Sequence, residues 1–182
     1  MTGPRRLARG VAGGLIGLVA ATSLAACSGS LRPLPATPPP TPAPTATLAI
    51  RQVRGQLEAD LRLAGIGLID ASQPFRPPEP PELTGAPRAV LQAVLPDDPE
   101  HGFVVVYDLG DPAAAATTGR AMAAYLAGGP TRVQFPSDTR FVLRQVGSTL
   151  VFYPWSTAGP DPTAGRVAQV LGGLGSSFPG AG

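Results

Sequence analysis

Hydrophobic and polar positions along this chain change period several times. Residues 10–26, "GVAGGLIGLVAATSLAA", run for 17 positions without a charge. From residue 48 the pattern becomes amphipathic. Leu48, Val53, Leu57 and Leu61 fall roughly on one stripe, with Ile50, Arg54, Glu58 and Arg62 on its flanks. That spacing predicts a helix over 48–64, stopped by Gly65 and Gly67. "SQPFRPPEPPELTGAP" follows with six prolines and reads as a loop. It is long for a compact domain, a length that goes with function or with disorder.

A pattern then appears twice. "RAVLQAV", a turn "LPDDPEHG" and "FVVVYDL" lead into "GDPAAAATTGRAMAAYLAGG"; later "RFVLRQV", "GS" and "TLVFYPW" lead into "PDPTAGRVAQVLGGLG". Each unit reads as strand, turn, strand and helix. Asp111 and Asp161 are placed to be helix N-caps, with Pro112 and Pro162 in the first helical positions. "TRVQF" reads as an added strand between the units. The order is either a ββα-ββα duplication or the echo that any α+β domain can produce. Gly147-Ser148 fits a two-residue type II′ turn. That register sets Val146 opposite Thr149, Leu143 opposite Phe152 and Arg144 opposite Val151, and it places Phe141, Leu143, Leu150 and Phe152 on one core face. Ala115, Gly119, Met122, Ala123 and Leu126 form the inner stripe of the middle helix; Val167, Val170, Leu171 and Leu174 form that of the last. The expected fold is α+β: an antiparallel sheet of four to five strands with two to three helices on one face. "SSFPGAG", residues 176–182, is expected to be a loose tail.

Composition changes this picture little. Proline and glycine each number 23 of 182 residues, concentrated in loops and in one N-terminal run. The formal charge of +2 includes Arg5, Arg6 and Arg9; from Cys27 onward the balance is −1, and every cation is arginine. No basic patch argues for nucleic acid.

The N-terminus carries three arginines, then the uncharged run, then small residues before the lone cysteine in "LAAC". These are the parts of a secretory signal. Leu24-Ala25-Ala26-Cys27 resembles the lipobox of bacterial lipoproteins. That resemblance implies that residues 1–26 are a cleaved signal peptide and that the Cys27 sulfur carries diacylglycerol. It implies a new N-terminus that is usually acylated as well, and a chain anchored to a membrane outside the cytoplasm, the outer membrane included in a diderm cell. Two or three acyl chains, at about 0.8 kcal/mol per buried methylene, anchor a protein stably. An uncleaved transmembrane span, or a cysteine that merely follows a signal peptide, is the alternative; in each case the positive-inside rule puts the bulk of the chain outside the cytoplasm. Residues 27–47 form the tether. Leu31–Thr47 hold seven prolines, which excludes helix and sheet and predicts a polyproline spacer of at most roughly 50 Å. Such a run could also carry O-linked sugar or serve as a PxxP ligand. The folded domain is expected over 48–175.

Little chemistry can be assembled from the rest. His101 is the only histidine and follows Asp97, Asp98 and Glu100 in "PDDPEHG". Such a cluster suits either a divalent cation or a solvated turn. No GxSxG opens a helix, and "GIGLID" lacks the third glycine of a dinucleotide fingerprint. No cofactor is expected. On the expected one-sided sheet, Tyr153 and Trp155 lie on the bare face beside Arg144, where they suit a partner or ligand; if the first helix covers that face, they are core instead. The sequence thus points to a lipid-anchored envelope protein with a non-catalytic binding or scaffolding domain of unknown ligand. The alternatives are a metal-dependent or hydrolytic enzyme using Asp97, Asp98, Glu100 and His101, and an accessory subunit of an envelope transport or secretion complex.

Overall fold

The computed structural model describes residues 46–128 and 133–179. The expected signal peptide, Cys27 and the proline-rich run up to Thr45 lie outside the described residues. Helix α1 spans Leu48–Leu63 and is capped by the Thr47 hydroxyl, which accepts from the Ile50 amide at 3.2 Å. Its buried stripe is Ile50, Val53, Leu57 and Leu61. After it come β1 (Leu68–Asp70), a 3₁₀ turn at Pro81–Leu83, β2 (Arg88–Ala93), β3 (Phe103–Asp108) and α2 (Pro112–Ala127). Then β4 (Thr139–Val146), β5 (Thr149–Ser156), α3 (Thr163–Gly172) and β6 (Ser176–Ser177) complete the fold.

The six strands form one antiparallel sheet in the order β1-β2-β3-β5-β4-β6. The β4–β5 hairpin has the register expected from its turn: Val146 faces Thr149, Leu143 faces Phe152 and Arg144 faces Val151. Gly147 has a φ of 58°, as the first position of a primed two-residue turn requires. The cap of α2 is as read, while α3 starts one residue later than expected, at Thr163, with Pro162 in the N-cap position and Asp161 before it. The Asp111 carboxylate accepts from the Ala113 and Ala114 amides at 2.9 Å each. Asp161 accepts from the Thr163 amide at 2.7 Å, with Pro162 already at helical dihedrals.

The one-sided sheet is corrected. Helices lie on both faces. On one, α1 and α3 bury Val104, Val106, Val151 and Tyr153; on the other, α2 and Leu83 of the proline-rich loop bury Val105, Tyr107, Leu150 and Phe152. The reason is visible in the strands themselves. "VVVY" and "LVFY" are continuous apolar runs without polar alternation, the pattern of strands buried on both sides. Two helices following equivalent hairpins therefore pack on opposite faces, so the ββα order repeats but the spatial arrangement of its helices does not.

Three edge features also differ from expectation. Strand β1 pairs with β2 through Leu68–Ala93, Ile69–Gln92 and Asp70–Leu91, which raises the strand count to six together with β6. The expected strand at 131–135 is absent where it is described. Val133 is exposed, and the Thr139 amide closes on the Pro136 carbonyl at 3.0 Å, turning the chain straight into β4; residues 131 and 132 lie outside the described residues. The tail is not loose at its start. Ser176 and Ser177 pair with Gln145 and Arg144, and Phe178 packs in the second core. Gly119 makes room for that ring: a Cβ there would stand 2.0 Å from the Phe178 ring.

Candidate functional site

Proline 154 sits inside β5, a central strand, where a missing N–H normally breaks a ladder. Hairpin geometry shows how it is tolerated. In a two-residue hairpin, Val146 and Thr149 form the hydrogen-bonded pair, so alternate pairs down to Arg140–Trp155 are bonded and Pro154 turns its nitrogen away from β4, towards β3. Pairing of β3 with β5 runs from Asp108–Thr149 to Val105–Phe152 and ends there. Beyond that point β3 still pairs with β2 as far as Phe103, and β5 still pairs with β4 as far as Ser156. The sheet splits between its two central strands.

The split is a cleft with two lobes that share His101, Gly102, Pro136, Pro154, Trp155 and Ser156. One lobe, about 270 Å³, reaches Leu95, Tyr153 and Ala164 on the α1–α3 face. The other, about 220 Å³, opens between Phe75, Phe103 and Phe135 on the opposite face. Phe75 stacks on Phe103 with centroids 4.4 Å apart and rings 5° from parallel. Phe135 meets Phe141 edge-on at 5.0 Å. Aromatic and proline side chains thus make the walls.

The rim is polar and satisfied. Gln92, 8% exposed, donates to the Pro99 and His101 carbonyls at 2.8 and 2.9 Å and fixes the turn at 95–102. The Asp97 amide donates to Asp161 at 2.9 Å, tying the same turn to the start of α3. That amide, with the Thr163 side chain and amide, holds the Asp161 carboxyl below the usual carboxylate range. His101 Nδ1 lies 2.5 Å from Asp98 Oδ1, with the imidazole mostly exposed. Ser156 donates its hydroxyl to the Asp138 carboxylate, which holds that carboxyl below the usual carboxylate range. The Ser156 hydroxyl is committed there and not to His101, so the site holds no serine–histidine pair. Among the described residues, no three His, Cys, Asp or Glu side chains come together as a metal ion needs.

The residues expected to form a partner surface do not converge. Tyr153 is 1% exposed, with burial pushing its phenol well above the usual range, and its hydroxyl donates to the Ala164 carbonyl at 3.3 Å. It is core because α1 and α3 cover the face that was expected to be bare. Arg144 stands four residues from Arg140, the partner of Trp155, and donates to the Leu174 and Gly175 carbonyls at 2.6 and 3.1 Å. It holds the turn that leads from α3 into β6. Trp155 lines both lobes, half-buried, with its ring over Gly165, while Tyr153 lines only the lobe on the α1–α3 face. Asp97, Asp98, Glu100 and His101 form a rim turn, and Cys27 lies outside the described residues.

Sequence reasoning missed the buried carboxylate that docks the proline-rich loop. Glu79, 4% exposed in its side chain, accepts from the Tyr107 hydroxyl at 2.7 Å, Arg76 at 2.6 Å and Arg88 at 3.2 Å. Burial and then the bond to Glu79 raise the Tyr107 phenol far above its ordinary value. This network holds the segment that carries Phe75 against the sheet. Its only sequence signal was a tyrosine in an otherwise apolar strand, since a buried phenol needs a partner.

Set beside known protein families, characterised proteins and solved structures, the chain matches none.

Proposed function

We propose that this chain is a lipid-anchored protein of the cell envelope, facing outside the cytoplasm, whose folded domain binds a partner or ligand without catalysis through the β3–β5 cleft. The observation that carries the binding role is the cleft itself. Ligand sites are concave and mostly apolar with a few placed polar groups, and here the walls are Phe75, Phe103, Phe135, Pro136, Pro154 and Trp155. The polar groups at the rim hold the turns in place and form no nucleophile–base pair. The anchoring role is supported by the lipobox-like Leu24-Ala25-Ala26-Cys27 and by the proline-rich spacer after it. No helix among the described residues is long and apolar enough to cross a membrane. Service as an accessory subunit of an envelope transport or secretion complex is the same binding role in a particular setting.

Trp155 is the only tryptophan in the chain, so its emission reports on the cleft. Anilinonaphthalene sulfonate is expected to bind saturably and to accept energy from Trp155. Phe103→Ala should weaken that binding about tenfold, as loss of an aromatic anchor does, while unfolding stays cooperative. Absence of transfer, or transfer indifferent to Phe103, would overturn the site.

A further inference from the structure

We infer that the cleft takes a small organic cation, an ammonium on an arylalkyl skeleton, with its ring between Phe75, Phe103 and Phe135 and its ammonium beside Asp98 in the other lobe. The inference rests on the cleft being a binding site, as proposed above, and it names the ligand class.

The two lobes offer different things. The lobe between Phe75, Phe103 and Phe135 is walled by rings and prolines, with no carboxylate among its described residues. At about 220 Å³ it exceeds the cavity of roughly 150 Å³ that takes a benzene ring in a protein core. The other lobe, about 270 Å³, has Asp98 in its wall, the side chain only 17% exposed. One Asp98 oxygen meets His101 Nδ1, and no described residue bonds the other. Trp155 lines both lobes and Tyr153 lines this one, so a cation beside Asp98 also has aromatic faces near it.

The polar groups around Asp98 accept and do not donate. Tyr153 gives its proton to the Ala164 carbonyl, and Ser156 gives its own to Asp138. The Asp98 carboxylate only accepts, so His101 Nδ1 donates to it, and in the neutral imidazole Nε2 is then an acceptor. The backbone adds one more acceptor. The Ala93 amide bonds the Gly102 carbonyl, so Phe103, the next residue, turns its polar groups towards β5. Continuing the β3–β5 register from Val105–Phe152 sets Phe103 against Pro154, which has no N–H to give. The Phe103 carbonyl therefore lacks its ladder donor, and a ligand N–H can replace it.

Charge points the same way. Burial first, and then the charges of Asp98 and Asp161, raise the Tyr153 phenol, which places the floor of this lobe in a negative field. Asp138 stands behind Ser156 at the opposite rim. Among the described residues no arginine lines either lobe. Arg166 donates to the Ala64 carbonyl, and Arg140 is exposed on β4 opposite Trp155. A ligand anion would meet only acceptors and carboxylates. A metal ion needs several oxygen ligands, and Asp98 is the one carboxylate in the described wall. An ammonium on an apolar body suits both halves of the cleft.

The test is calorimetric titration of the full chain in detergent, corrected by the same titration into detergent alone. The probes are phenylbutylamine, phenylbutanol and phenylbutyrate, which share a ring and chain and differ in the head. The amine should bind about tenfold more tightly than the alcohol, as a charge-assisted hydrogen bond predicts, and the carboxylate more weakly than either. Asp98→Asn keeps the side-chain shape; with an unchanged melting transition it should weaken the amine about tenfold and the alcohol by less than about twofold. Phe103→Ala should weaken both about tenfold. Equal binding of amine and alcohol, or tighter binding of the carboxylate, overturns the inference. So does amine binding that is indifferent to Asp98→Asn, or an Asp98→Asn variant that loses amine and alcohol alike, because Asp98 would then only shape its turn. If the head makes no difference but anilinonaphthalene sulfonate still binds in a Phe103-dependent way, its rings in the aromatic lobe, the cleft remains a binding site and only the ligand class is wrong. If dye binding fails too, both readings fall.

Discussion

At the scale of single residues, burial separates Tyr153 from Trp155, although they are two positions apart on one strand face. Tyr153 is enclosed by α1 and α3. Tyr153→Ala should cost about 3–5 kcal/mol of stability, the range for emptying an aromatic site in a core, measured by denaturant melts. Trp155→Ala should cost clearly less and should abolish the dye signal. Asp161 gives a pH prediction. Its folded pKa lies below the unfolded value of about 4, held there by the Asp97 amide and by Thr163. Between those two values the unfolded chain binds more protons, so stability rises with pH. The contribution is complete above pH ~4 and is lost as pH falls through the folded pKa. Asp161→Asn keeps a capping oxygen but does not titrate there, so its acid-melting curve should lack this component. A curve that parallels the unsubstituted protein down to low pH would show that Asp161 carries none of the acid sensitivity.

At the scale of elements, the contact between α2 and the C-terminal segment is the sharpest. The Phe178 ring occupies the space where a Gly119 Cβ would be. Gly119→Ala should therefore destabilise by about 1–3 kcal/mol through overpacking. In a Phe178→Ala background the obstruction is gone, and the same change should stabilise, by up to about 1 kcal/mol, because alanine is the better helix former. A double-mutant cycle in urea reads this reversal of sign; additive effects would mean that the ring and the glycine are independent. The elements themselves were largely legible. The apolar stripe of α1, the Asp-Pro start of α2 and the Gly-Ser hairpin rest on local physics and lie where the pattern put them; α3 starts one residue later than its Asp-Pro pair predicts. The two-residue β6 and three-residue β1 were not legible, because such short strands exist only by pairing with a neighbour that the sequence does not name.

At the scale of the whole molecule, the proposed anchor and the folded domain make separate predictions. Cys27→Ala should leave the unprocessed precursor, seen as a band retaining the 26-residue signal segment, with no lipid label incorporated. Normal processing in that variant would reject the lipobox. The fold should be untouched, since both cores are built from residues 46–178. Arrangement at this scale is where expectation and structure part. Of the two arrangements that the strand pattern leaves open, a bare face carrying Tyr153 and Trp155 beside Arg144 or a face covered by the first helix, the structure has the second.

The sequence by itself determined what depends on neighbours a few residues apart: helix stripes, caps, the hairpin register, the proline-rich run and the resemblance at Cys27. It also contained the proline on which the cleft depends. Only the tertiary structure decided that Pro154 turns its nitrogen towards β3, that the ladder ends there, and that Phe75, Phe103, Phe135 and Trp155 meet at the opening. These rings come from positions up to 80 residues apart. No periodicity links them, and what brings them together is packing on both faces of a sheet whose central pair cannot close.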